Sequence, residues 1–136
     1  GTRNRPFKEV HRHQWKVFTC PASTFAFAED TRKIYAAWET KGHIYVKDVL
    51  SPAASINVSS ASKNCKYPSI AFNSKGDRLT TWSTDTGWGK GGYVQYQVAN
   101  RNGMVISQSN RPGFSPAAYS FSSACALPTG NFVIFY

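Results

Sequence analysis

The residues whose types suit chemistry or contact are concentrated between Ser83 and Tyr93. There Asp85, Trp88, Lys90 and Tyr93 stand among Gly87, Gly89, Gly91 and Gly92. A carboxylate, an indole, an ammonium and a phenol on one glycine-rich loop form a candidate ligand-binding set. The indole could stack on a sugar or a base and the ammonium could meet an anionic group, and loops carried on a rigid sheet are where binding usually sits. The competing reading folds Trp88 back over a sheet edge as cover. His11 and His13, two apart, would place two imidazoles on one face of a strand, a spacing that can hold a metal if His43 or Cys20 supplies a third ligand. Histidines in a basic surface segment are much commoner than metal sites, so no metal and no cofactor are assigned.

The first 20 residues carry Arg3, Arg5, Lys8, Arg12 and Lys16 against the single acid Glu9, within a chain whose net charge is +9. Such a patch steers anionic partners, or serves only as a solubilising face or a dock for an acidic neighbour. The acids are Glu9, Glu29, Asp30, Glu39, Asp48, Asp77 and Asp85, most of them at expected turns. Glycoside hydrolysis asks for two facing carboxylates about 5–9 Å apart, and no motif here enforces such a pair. No catalytic residue is assigned. Cys20, Cys65 and Cys125 have no C-x-x-C spacing and cannot all pair with one another. One disulfide plus a free thiol, or three buried thiols, both fit.

The scaffold that must position these groups is legible in the bulk composition and in a repeat. Hydrophobic residues make up 41% of the 136 and aromatics 15%, enough to fill one core and weighted toward β structure. No run approaches the roughly 18–20 apolar residues of a membrane span. The chain opens Gly-Thr-Arg without a basic, apolar, small-residue leader, which leaves a cleaved signal peptide open.

Set without gaps, Ser23–Trp38, Tyr67–Trp82 and Phe121–Tyr136 superimpose. Ala26-Phe27-Ala28, Ile70-Ala71-Phe72 and Ala124-Cys125-Ala126 coincide, and so do Tyr35, Leu79 and Val133. Trp38, Trp82 and Tyr136 close the three copies and are expected in the core. The unit is a hairpin: a small apolar run, a polar turn of about five residues, then a β-branched or aromatic run. The turns are predicted at Glu29–Lys33, Asn73–Asp77 and Leu127–Asn131. A third strand follows at Gly42–Val49 and Gly92–Ala99, the latter behind a six-residue insertion, and a fourth at Ser55–Val58 and Met104–Gln108. Phe7–Val10 and Trp15–Thr19 read as two more strands. Four strands in about 44 to 54 residues is the size of a β-propeller blade. The expected fold class is therefore all-β, a propeller segment of about three blades built from four-stranded antiparallel sheets. Its parts are residues 1–20 completing a blade, 21–64 and 65–110 as blades, and 111–136 as a half blade. Complementary half blades at the two ends imply either missing upstream blades or a homodimer, in which two half-rings close on each other. A self-contained barrel or sandwich is the alternative.

Tyr67-Pro-Ser-Ile-Ala-Phe-Asn-Ser-Lys-Gly-Asp77, Trp82-Ser-Thr-Asp-Thr-Gly-Trp-Gly-Lys-Gly-Gly92 and Pro128-Thr-Gly-Asn-Phe-Val-Ile-Phe-Tyr136 resemble bacterial sialidase-like propeller proteins. Ser83-Thr-Asp-Thr-Gly87 resembles that family's Asp-box, with Lys90 at the place of its final Trp. The resemblance implies a six-bladed ring of which this chain holds the C-terminal half, and an exported, periplasmic or extracellular protein. It implies a non-catalytic binding or assembly module contacting glycan or another protein. The alternative is part of a sialidase-type glycoside hydrolase completed by other blades, since the family's arginine triad and Tyr–Glu pair are not assembled here. The strand Tyr93-Val-Gln-Tyr-Gln-Val98 lacks basic residues, so nucleic acid is not an expected partner.

Overall fold

A computed structural model describes residues 7–10, 12–16, 24–87, 89–109, 113–118 and 120–136. The described residues form ten strands and no helix, arranged in three antiparallel sheets of four, four and two strands. The first sheet runs β1 (Phe25–Asp30), β2 (Lys33–Thr40), β3 (His43–Asp48), β4 (Ile56–Asn57). The second runs β5 (Lys66–Phe72), β6 (Arg78–Thr84), β7 (Tyr93–Ala99), β8 (Val105–Gln108). The third pairs β9 (Ser123–Ala126) with β10 (Phe132–Phe135). Within every sheet the strand order is the sequence order, because each connection is short enough to return the chain antiparallel beside its predecessor.

The turns explain the registers. Asn73–Asp77 and Leu127–Asn131 are the predicted five-residue connections, and Gly76 and Gly130 take φ of 80° and 87° there, which a side chain would strain. Asn73 folds its own turn, its Oδ1 accepting from the backbone N–H of Lys75 and Asp77 at 3.0 and 2.9 Å. The same side chain donates from Nδ2 to Gly130 O at 2.8 Å, tying one hairpin tip to the next.

The first hairpin departs from the repeat. Its strands extend through Glu29, Asp30 and Lys33, leaving only Thr31 and Arg32 in the turn. Ala26 consequently pairs Ala37, whereas the residues aligned with them by sequence are offset by one, Ile70 pairing Thr80. So Phe25 and Phe27, not Ala26 and Ala28, share the face of Trp38, while Ile70 and Phe72 share the face of Trp82. The gapless alignment misplaces β1 by one residue, which moves every side chain of that strand to the opposite face.

Stacking follows from these faces. Ala37, Ile44 and Val46 of the first sheet and Val58 just after β4 close on Ile70 and Trp82 of the second and Cys65 just before β5, with Ala26, Ala28, Tyr35 and Phe72 at the margin. The small residues of β1 let it lie directly against β5, and β5 in turn lies against β9. On that second interface Ser122 Oγ donates to Thr81 Oγ1 at 3.1 Å and Ala124 N donates to Ser69 Oγ at 2.9 Å. β6, covered on both sides, is buried along its whole length.

Three expectations are corrected. Residues 7–10, 15 and 16 lie in no strand; Trp15 and Lys16 instead bond the β2–β3 end of the first sheet, and 17–19 lie outside the described residues. Tyr136 is not buried like Trp82: beside β10, an edge strand of the third sheet among the described residues, it is 54% exposed and stacks on Phe114 at 4.9 Å. The acids expected mostly at turns lie largely in strands, Glu29 and Asp30 in β1, Glu39 in β2 and Asp48 in β3, and Glu39 is buried.

Candidate functional site

The six-residue difference between the two sheets falls wholly in the β6–β7 connection, Asp85–Gly92 against Lys41–Gly42. This loop is a small side hairpin. Gly87 and Lys90 exchange N–H···O bonds at 3.1 Å each way, and Thr86 Oγ1 donates to Lys90 O at 3.0 Å. The chain after β8 buttresses it. Val94 N donates to Phe114 O at 2.8 Å and Ser115 Oγ donates to Gly92 O at 3.0 Å. The approach is so close that a Cβ on Gly91 would stand 2.2 Å from Pro116 O.

Asp85 therefore occupies a fixed positive-φ position just after β6, Lys90 the return side of the hairpin, and Tyr93 the first place of β7, opposite Thr84. These three share one end of the second sheet; Trp88 lies outside the described residues.

The N-terminal segment lies on the outward face of the first sheet. His13 meets Trp38 edge-on at 5.2 Å and Tyr45 at 5.7 Å, and Trp15 meets Phe25 at 6.4 Å. Thr40 Oγ1 accepts from Lys16 N at 2.9 Å, and Lys41 N donates to Lys16 O at 3.0 Å. His13 is thus held by rings rather than beside other ligands, and among the described residues no three His, Cys, Asp or Glu side chains gather to hold a metal. His43 is partly buried at the start of β3, and His11 and Cys20 lie outside the described residues. Of the basic patch, Lys8, Arg12 and Lys16 are exposed, and Arg12 is neutralised by Glu9 at 2.7 Å, so the patch is weaker than its count of cations implies. Arg3 and Arg5 are outside the described residues.

Sequence reasoning missed three features. Beneath the N-terminal segment an apolar hollow of about 310 Å³ is lined by Val10, His13, Phe25, Phe27, Ala36 and Trp38. Phe27 is 63% exposed there, whereas Ile70, on the matching face of the second sheet, is 6% exposed beneath the first sheet. The alternation of β1 signalled this face once its register was known. The second feature is a pair of buried charges. Burial pushes the Glu39 carboxyl above its ordinary range, although its Oε1 accepts from Gly42 N at 2.8 Å. Burial also lowers Arg78, whose guanidinium lies 6.0 Å from the Tyr35 ring centre. The third is a cleft of about 280 Å³ between the Val58–Ser62 connection and strands β7 and β8, floored by Trp82. It joins residues from two repeats, so no single motif announced it. No known family model, curated protein or solved structure matches the chain.

Proposed function

We propose that this chain is a segment of a sialidase-like β-propeller that acts in binding and assembly rather than in catalysis. One observation carries the reading. The same stacking occurs twice, first strand against first strand, while the outward face of the first sheet, built like the covered face of the second, keeps Phe25 and Phe27 exposed. An apolar face of this kind, covered only in part by Val10, His13 and Trp15, serves in this reading as a docking surface. Its occupant is a further sheet of the same repeat, presenting small and aliphatic side chains as β1 and β2 present Ala26, Ala28 and Ala37. A second copy of the chain offers such a sheet at its other end, where Ser123 and Cys125 of β9 are exposed beside Phe135. The buttressed loop carrying Asp85 and Lys90 then stands at the rim of the second sheet as a contact point for glycan or protein.

Light scattering tests the docking. The chain is expected to form a dimer that dissociates in Phe27→Asp while keeping its β-sheet circular dichroism. A species that stays monomeric at every concentration overturns self-docking. Turnover of a fluorogenic sialoside that disappears in Asp85→Asn would overturn the non-catalytic reading.

A further inference from the structure

The cleft between the first two sheets has a definite chemistry. One wall is the connection after β4, folded on itself: Ser62 N donates to Ser59 O at 2.8 Å, and Ser59 N to Asn57 Oδ1 at 3.0 Å. It is anchored to the first sheet where Ile44 N donates to Ser59 Oγ at 2.8 Å and Val58 N to Ile44 O at 2.9 Å. The other wall is β7, whose alternation places Gln95 and Gln97 on one face. Two bonds join the walls: Ser62 Oγ donates to Gln95 Oε1, and Gln97 Nε2 donates to Val58 O at 3.4 Å. Each amide spends one bond on this bridge and keeps further donor and acceptor capacity. The Trp82 indole, 4% exposed and paired across the strands with Gln95, also lines the cleft, as do Ser60 and Gln108.

The lining has no Asp, Glu, Lys, Arg or His. A charged ligand would lie there without a counter-charge, and a wholly apolar one would strand several amide and hydroxyl groups. What fits is an uncharged molecule dense in hydroxyls, which can donate and accept at adjacent atoms. At about 280 Å³ the cleft sits just below the usual range for ligand pockets, about 300–1,000 Å³, and suits a single ring. We propose that this cleft binds a neutral saccharide, with Gln95 and Gln97 as its principal hydrogen-bonding residues and the Trp82 edge as its apolar floor. The site lies within one chain and does not rest on the docking reading above.

Saturation-transfer NMR against glucose, galactose, mannose and N-acetylglucosamine tests it, with N-acetylneuraminic acid as the charged comparator. At least one neutral sugar is expected to bind, with affinity unchanged by added salt and by Phe27→Asp. Losing two amide contacts in Gln95→Ala/Gln97→Ala should weaken it about tenfold or more. Gln108→Ala, at the exposed rim, should weaken it less, and it serves as the readout if the double variant fails to fold. Absence of transfer from all four neutral sugars overturns the proposal. So does binding undiminished in both variants, or binding confined to the charged sugar and abolished by salt.

Discussion

Replacing Gly91 by alanine puts the buttressed loop to a quantitative trial. The added Cβ would lie 2.2 Å from Pro116 O and 2.8 Å from Ala117 O. An ordinary contact begins near 3.4 Å, so the 116–117 backbone must withdraw by about 1 Å. Overpacking of this kind costs about 1–3 kcal/mol. The withdrawal also strains the bonds Val94 N to Phe114 O and Ser115 Oγ to Gly92 O, worth about 1 kcal/mol each. The expected loss is about 2–4 kcal/mol. With a urea slope of about 2 kcal/mol per M, the unfolding midpoint falls by about 1–2 M. Gly87→Ala is the matched control. No atom lies within 4 Å of its added Cβ and its φ is not positive, so it should be neutral or stabilising by about 0.4–1 kcal/mol. If the two variants unfold at midpoints within error of each other, the loop is not braced by the segment after β8.

Two further outcomes follow from burial. Because the Glu39 carboxyl titrates higher in the folded chain than in the unfolded one, the folded state holds the proton more tightly. Its contribution is full below the unfolded pKa and is lost as pH rises through the folded value; in Glu39→Gln, which keeps an oxygen for Gly42 N, that decline should vanish from urea midpoints measured across mildly acid to neutral pH. Trp82→Ala should cost about 3–5 kcal/mol and Tyr136→Ala about 1 kcal/mol or less, although both close the same repeat, because one ring is 4% exposed and the other 54%; equal thermal shifts would refute the burial of Trp82 between the first two sheets.

The fold was readable wherever local chemistry decides it. Asn73–Asp77 and Leu127–Asn131 carry their own turn residues, and the strands on either side begin where those turns end. The β6–β7 insertion was readable for the same reason. The face of β1 was not, because Thr31 and Arg32 make a tight turn without the glycine that marks the other two, and a one-residue slip is invisible to an alignment of small residues. Tyr136 was misjudged because burial belongs to the neighbouring sheet and not to the residue. The saccharide cleft was illegible for a related reason: Ser62 and Gln95 are 33 positions apart and meet only once two sheets have stacked.

The stack has a direction. The first sheet offers the second a face rich in alanine and meets there Ile70, Phe72 and Trp82, so a further sheet docked on Phe25 and Phe27 in the proposed way would join head to tail. Contacts of that sort have only two fates. If the rotation from sheet to sheet divides a full circle, addition stops of its own accord and leaves a discrete particle. If it does not, nothing in the joint itself ends the addition, and the outcome is a fibre whose length depends on concentration. If the proposed self-docking holds, a rotation of a few degrees between β1 and β5 separates a discrete particle from a filament, and electron microscopy of the parent chain beside Phe27→Asp would distinguish them.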